Sequence, residues 1–96
     1  MLESQLVAKI LKAYRERGAY AEKIHGGPMQ PRVIDIFACY RGRFIGLEAK
    51  VGNNHPTVIQ QEIINRITQA GGVSYVVWDV RAATVALDSI DEELDG

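Results

Sequence analysis

Apolar residues recur at three- and four-residue steps through Leu2, Leu6, Val7, Ile10, Ala13 and Tyr14, so residues 2–17 read as an amphipathic helix that Gly18 ends. Tyr20 to Ile24 reads as a short strand, and Gly26-Gly27-Pro28 with Pro31 as a loop. Two apolar runs follow, Val33–Ala38 and Phe44–Val51, joined by a short turn containing Arg41-Gly42. Together they predict a hairpin over about 33–51. After the loop Gly52-Asn53-Asn54-His55-Pro56, Thr57 is placed as an N-cap with Gln60 three residues on, the spacing of a capping box. A second helix then places Ile59, Ile63, Ile64, Ile67 and Ala70 inward and stops at Gly71-Gly72. Val73 to Trp78 is a continuous apolar run, the pattern of a buried strand. Residues 80–94 fit a helix on Val80, Ala83, Leu87, Ile90 and Leu94, or a strand through Thr84-Val85-Ala86-Leu87.

This order predicts an α/β domain over residues 1–96, a mixed β-sheet flanked by α-helices in the order α-β-β-β-α-β-α. The second helix serves as a crossover, so the strand after it should run parallel to its neighbour and cross right-handed.

Several polar residues interrupt this pattern. Glu48 and Lys50 lie two apart in the second hairpin strand and so share one face. If Arg41 and Gly42 are the two loop residues, Tyr40 faces Arg43, and counting back brings Asp35 opposite Glu48. Like charges opposed across strands are destabilising, and a buried uncompensated carboxylate more so. A cation between the acids resolves the conflict, and a hard divalent metal is the simplest one. On a helical wheel Glu3 falls between Tyr14 and Ile10, inside the apolar arc, while Ser4, Gln5, Lys9, Lys12 and Glu16 lie opposite. It is either a first-turn acid complementing the helix dipole or a third carboxylate aimed at the same point. Gln60 likewise falls inside the arc of Ile63, Ile64 and Ile67, where it caps with Thr57, serves the acids, or does both. Lys50 is either a strand-end lysine reaching water or a group that orients an attacking water and neutralises charge on a phosphate.

Composition narrows the classes. With 47% hydrophobic and 24% charged residues the chain is an ordinary globular one. No apolar run approaches the roughly 20 residues of a membrane span, and no signal peptide is expected. The single Cys39 excludes an internal disulfide and a cysteine-rich zinc site, and is expected to pack within a strand of a cytoplasmic protein. His25 and His55 have no metal-ligand partner at useful spacing, so oxygen ligands for magnesium or manganese are favoured over zinc. Net charge is -1, yet residues 1–50 hold nine Lys/Arg against five Asp/Glu and residues 51–96 hold two against seven. The basic half suits a polyanion; Asp88, Asp91, Glu92, Glu93 and Asp95 read as a solvated helix face or a frayed tail.

Glu3, then Val33-Ile34-Asp35, Glu48-Ala49-Lys50 and Gln60 in this order resemble the PD-(D/E)XK nuclease superfamily, whose motif is an acid followed by acid-x-Lys. More narrowly the chain is similar to the VRR-NUC domain, the virus-type replication-repair nuclease. Lys23-Ile24-His25-Gly26-Gly27, Tyr40-Arg41-Gly42-Arg43-Phe44 and Thr57-x-x-Gln60 with Ala70-Gly71-Gly72 support this, and the similarity spans roughly residues 3–78. The chain departs from the usual Gly-x-Pro before the first acid, carrying Arg32, Val33 and Ile34 there.

The resemblance implies a restriction-endonuclease-like fold and a Mg2+- or Mn2+-dependent endonuclease acting on DNA. Its substrate would be branched, as for a Holliday-junction resolvase of a phage or prophage, and the protein a homodimer with no nucleotide cofactor and no membrane; a monomeric nuclease on flaps or nicked duplex stays open. By resemblance, Asp35 and Glu48 bind the ion with the Ala49 backbone carbonyl, and Glu3 reaches it directly or through water. Lys50 positions the water, Gln60 supports the site or touches the scissile phosphate, and Lys23 contacts a phosphate. The alternative is a non-catalytic nucleic-acid-binding or assembly module that keeps the fold.

Overall fold

The spacing of the first apolar set folds as helix α1, Glu3–Glu16, in the computed structural model, which describes residues 1–25 and 34–96. Leu6, Val7, Ile10 and Tyr14 form its buried stripe. Burial of side chains this size contributes about 1.5–3 kcal/mol each. The chain then reverses at Gly18, whose φ of 89° suits a residue without Cβ. Strand β1, Tyr20–Lys23, follows. The glycine and proline loop, Arg32 and Val33 fall outside the described residues.

Strands β2, Ile36–Tyr40, and β3, Arg43–Ala49, form the expected hairpin. Tyr40 pairs with Arg43 and Ile36 with Leu47. Arg41 (φ 52°) and Gly42 (φ 82°) carry the two positive φ values that a tight hairpin turn with right-handed twist requires. Helix α2, Val58–Gln69, starts at the Thr57 capping box: Gln60 N–H donates to Thr57 Oγ1 (3.1 Å), and Thr57 N–H donates to Gln60 Oε1 (2.9 Å). Strand β4, Val73–Val77, then runs parallel to β3, with Glu48 beside Val76 and Ala49 beside Val77. Residues 80–94, open between helix and strand in the sequence, are helical: α3 spans Val80–Asp95, and Asp79 Oδ1 accepts the N–H of Ala82 (2.7 Å) as its cap.

The four-stranded mixed sheet has the order β1-β2-β3-β4. Alternation along β3 assigns its faces. Ile45, Leu47 and Ala49 join the core with α1 and α3, including Ala83, Ala86, Leu87 and Ile90. Phe44, Gly46 and Glu48 take the opposite face, where Gly46 approaches Ile67 of α2.

Several details of the apolar pattern differ from expectation. Ile59 is 66% exposed and Ala70 is exposed, because α2 covers only part of the sheet and touches it along Ile63, Ile64 and Ile67. Strand β4 is half-buried except at Val77, since it forms a sheet edge. Leu94 is exposed near the end of α3. Cys39 lies in β2, as expected, but with its side chain exposed.

Candidate metal centre

The hairpin register and the N-terminal end of α1 bring three acids together. One carboxylate oxygen from each of Glu3, Asp35 and Glu48 lies within 4.8 Å of the others. Asp35 and Glu48 are each 0% exposed, and Glu3 is half-buried. Glu3 is thus a first-turn helix residue and a member of the cluster at once.

Asp35 immediately precedes β2, and its position is over-determined. Its N–H donates to Leu47 O (3.1 Å), its carbonyl accepts from Ile24 N–H (2.7 Å), and its Oδ2 accepts from Ala49 N–H (2.8 Å). Ile34, where the related motif carries proline, is buried. A Cβ on Gly46 would stand 2.8 Å from Ile34 Cδ1 and 3.0 Å from Ile67 Cδ1, so the glycine makes room for the side chain that leads into Asp35. Isoleucine here is compatible with the acids meeting.

Lys50 follows the end of β3, where its N–H donates to Val77 O (2.9 Å). Its Nζ lies 3.5 Å from Glu48 Oε1, with the lysine side chain 13% exposed. Lys23, half-buried, ends β1 one residue before the Ile24 that bonds Asp35. Gln60 is half-buried, and its side-chain oxygen is engaged in the capping box. Among the described residues the candidate ligands in this cluster are carboxylate oxygens, whereas His55 stacks edge-on against Trp78 at 6.2 Å.

The sequence reading missed where the basic half sends its charge. Four of the five acids expected on a solvated helix face or frayed tail pair with three arginines along α3, while Asp88, Glu93 and Asp95 stay largely exposed there. Arg17 bonds Asp88 (2.8 Å) and Asp91 (3.1 Å), Arg41 bonds Asp91 (2.9 Å) and Asp95 (2.8 Å), and Arg43 bonds Glu93 (3.2 Å). The Tyr40 hydroxyl also donates to Asp91 (2.8 Å). Arg41, then Tyr40, hold the Asp91 carboxyl below the usual carboxylate range, and the Arg41 guanidinium does the same for Asp95. The signal was present in the three- and four-residue spacing of Asp88, Asp91 and Asp95, which lines one helix face.

No family profile matches the sequence, and no curated protein matches it. Solved structures do match the fold. A VRR-NUC domain superposes with a TM-score of 0.73 at 17% identity, covering 90% of this chain and 94% of its own. Hjc, a Holliday junction resolvase from the archaeal hyperthermophile Archaeoglobus fulgidus, superposes with a TM-score of 0.61 at 17% identity, covering 79% of this chain and 67% of its own. The order α-β-β-β-α-β-α around a four-stranded mixed sheet is that of a restriction-endonuclease-like fold. Among the described residues no helix is long and apolar enough to cross a membrane.

Proposed function

We propose that this chain is a divalent-metal-dependent endonuclease that hydrolyses DNA phosphodiester bonds, preferentially in branched DNA. The observation that carries the reading is the meeting of Glu3, Asp35 and Glu48 within 4.8 Å, two of them fully buried. Two buried carboxylates and a half-buried one at this separation repel one another and lose part of their hydration. A fold that fixes Asp35 with three backbone hydrogen bonds keeps them there nonetheless.

The all-oxygen donor set fits Mg2+ or Mn2+. Asp35, Glu48, Glu3 and the Ala49 backbone carbonyl are the groups that would hold the ion. Such an ion would supply Lewis-acid polarisation of a phosphate and would make a bound water more acidic than bulk water. The chain's own groups supply the rest. Lys50 sets a positive charge beside Glu48, where it orients the attacking water and offsets negative charge growing on the phosphate. Ala49 N–H aims the Asp35 carboxylate. Gln60, with its oxygen held by Thr57, keeps an amide donor for the scissile phosphate, and Lys23 contacts a neighbouring phosphate.

The likeness in fold to a VRR-NUC domain and to a Holliday junction resolvase supports branched DNA as the substrate class. We further propose a homodimer whose paired sites cut two strands symmetrically, which light scattering tests. The function is tested by incubating the protein with an end-labelled four-way junction and with linear duplex, with and without Mg2+ or Mn2+. Metal-dependent cutting of the junction, abolished by Asp35→Ala and by Lys50→Ala, is expected. Tight binding without product under either metal would overturn catalysis in favour of a non-catalytic nucleic-acid-binding module.

A further inference from the structure

A second site lies one strand beyond the acids, in a groove of about 580 Å³ between α2 and the edge strand β4. Its chemistry differs from that of the metal centre. The residues lining it include Gln61, Asn65 and Gln69, at four-residue steps along α2, with Ser74, Tyr75 and Trp78 on the sheet side, and among the described residues none that line it is charged. Neutral walls of this kind are unsuited to a phosphate. Neutral amides present donors and acceptors together, which is what the edge of a heterocyclic base requires.

Two of the amides are already set in place, since Gln61 Nε2 donates to Asn65 Oδ1 at 3.1 Å. The hydroxyls are committed elsewhere: Ser74 donates to Gly46 O (2.7 Å) and Tyr75 to Ala82 O (2.6 Å). Trp78 is 42% exposed, which leaves part of its ring open to a stacking partner. Its orientation is nevertheless fixed, because the indole N–H donates to Asn54 O (3.1 Å) and His55 meets the ring nearly at right angles, 69° between planes. An exposed aromatic held by a hydrogen bond loses little freedom when a base stacks on it.

The groove lies one strand from Glu48. Val76, one of its lining residues, sits in register with Glu48, and neighbouring strands are about 4.8 Å apart. The geometry points to a subsite for one unpaired nucleobase of the DNA, stacked on Trp78 and read at its edge by Gln61 and Asn65. It rests on the nuclease reading and deepens it: the preferred substrate carries an unstacked nucleotide beside the cut, as at a flap, an open branch point or a single-stranded tail.

Trp78 is the only tryptophan in the chain, so its fluorescence reports the groove directly. The protein is titrated, in chelator and without divalent metal so that nothing is cut, with a single-stranded oligothymidylate of about ten nucleotides and separately with blunt duplex of equal length. Saturable quenching by the single strand and little by the duplex is expected. With a dye-labelled strand, Trp78→Ala and Asn65→Leu should each weaken binding, the first by about tenfold, while Trp78→Phe retains most of it. Circular dichroism checks that each variant is folded. Equal quenching by duplex and single strand overturns the subsite. So does a fluorescence change that follows protein concentration alone, which would mean that a second copy covers Trp78. Junction cutting by a protein that shows no quenching removes the subsite and leaves the nuclease; quenching without cutting under any metal supports the subsite and removes the nuclease.

Discussion

Asp35 accepts the backbone N–H of Ala49 at 2.8 Å, so the first acid of the cluster is hydrogen-bonded to the residue between Glu48 and Lys50. The bond separates two roles of Asp35. Asp35→Asn keeps an acceptor for Ala49 N–H and removes a charge from the cluster, whereas Asp35→Ala leaves that buried N–H without this partner. Both variants should lose metal-dependent cutting. In chelator, denaturant unfolding should find the alanine variant less stable than the asparagine variant by about 1–3 kcal/mol. Equal stabilities would mean that the hydrogen bond does not hold the site.

Lys50 stands 3.5 Å from a fully buried Glu48 oxygen, and a divalent cation at the acids would compete with it for the same carboxylate. Lys50→Met should therefore bind Mn2+ more tightly than the wild type while cutting slowly, with a rate loss of about a hundredfold. Metal titration alongside single-turnover cleavage separates the two effects. Weaker metal binding in this variant would assign Lys50 a role in building the pocket.

Gly46→Ala tests how the chain manages with isoleucine before the first acid. The added methyl would press on Ile34 Cδ1 and Ile67 Cδ1 from between them. Overpacking of this kind costs about 1–3 kcal/mol. Because Ile34 leads directly into Asp35, cutting should fall as well, although position 46 carries no functional group. A variant with full activity and stability would show that the close approach is relieved without moving Asp35.

The arginine and aspartate lattice on α3 gives stability a defined dependence on pH. Asp91 and Asp95 have carboxyls held below their ordinary value, principally by Arg41. Their contribution is present above about pH 4 and is lost as pH falls through that value toward the lowered one. Tyr40 runs the other way: its hydroxyl is held above the ordinary range, first by its hydrogen bond to Asp91, so its contribution fades as pH rises beyond about 10. Asp91→Asn should melt below the wild type at neutral pH, and the gap should narrow toward pH 3 and in high salt. Thermal melts across pH provide the check, and a gap that stays constant with pH would show that the ion pairs do not contribute.

The legible part of the molecule was what periodicity and turn chemistry encode. The 3.6-residue stripes, the Arg41-Gly42 turn and the Thr57 capping box specified α1, the hairpin and the start of α2. With the register fixed by a two-residue turn, Asp35 had to stand beside Glu48. Ile59 was misread because a helical wheel shows which residues share a face but not how much of that face the sheet covers. The third helix stayed ambiguous because Thr84-Val85-Ala86-Leu87 suits either period. Its acids read as solvent-facing because their partners, Arg17, Arg41 and Arg43, lie some fifty to seventy residues away in the chain and meet them only when α3 packs. The Trp78 groove was invisible for the same reason, since α2 and β4 form it together.

The central claim is that Glu3, Asp35 and Glu48 hold a divalent cation, and it can be measured without knowing which DNA is cut. Calorimetric titration of the protein with MnCl2 should show saturable binding, and Glu48→Gln should weaken it by at least about tenfold while the fold, followed by circular dichroism, is kept. Undiminished Mn2+ binding by a folded Glu48→Gln protein would contradict the account, because the ion would then be held somewhere other than at these acids.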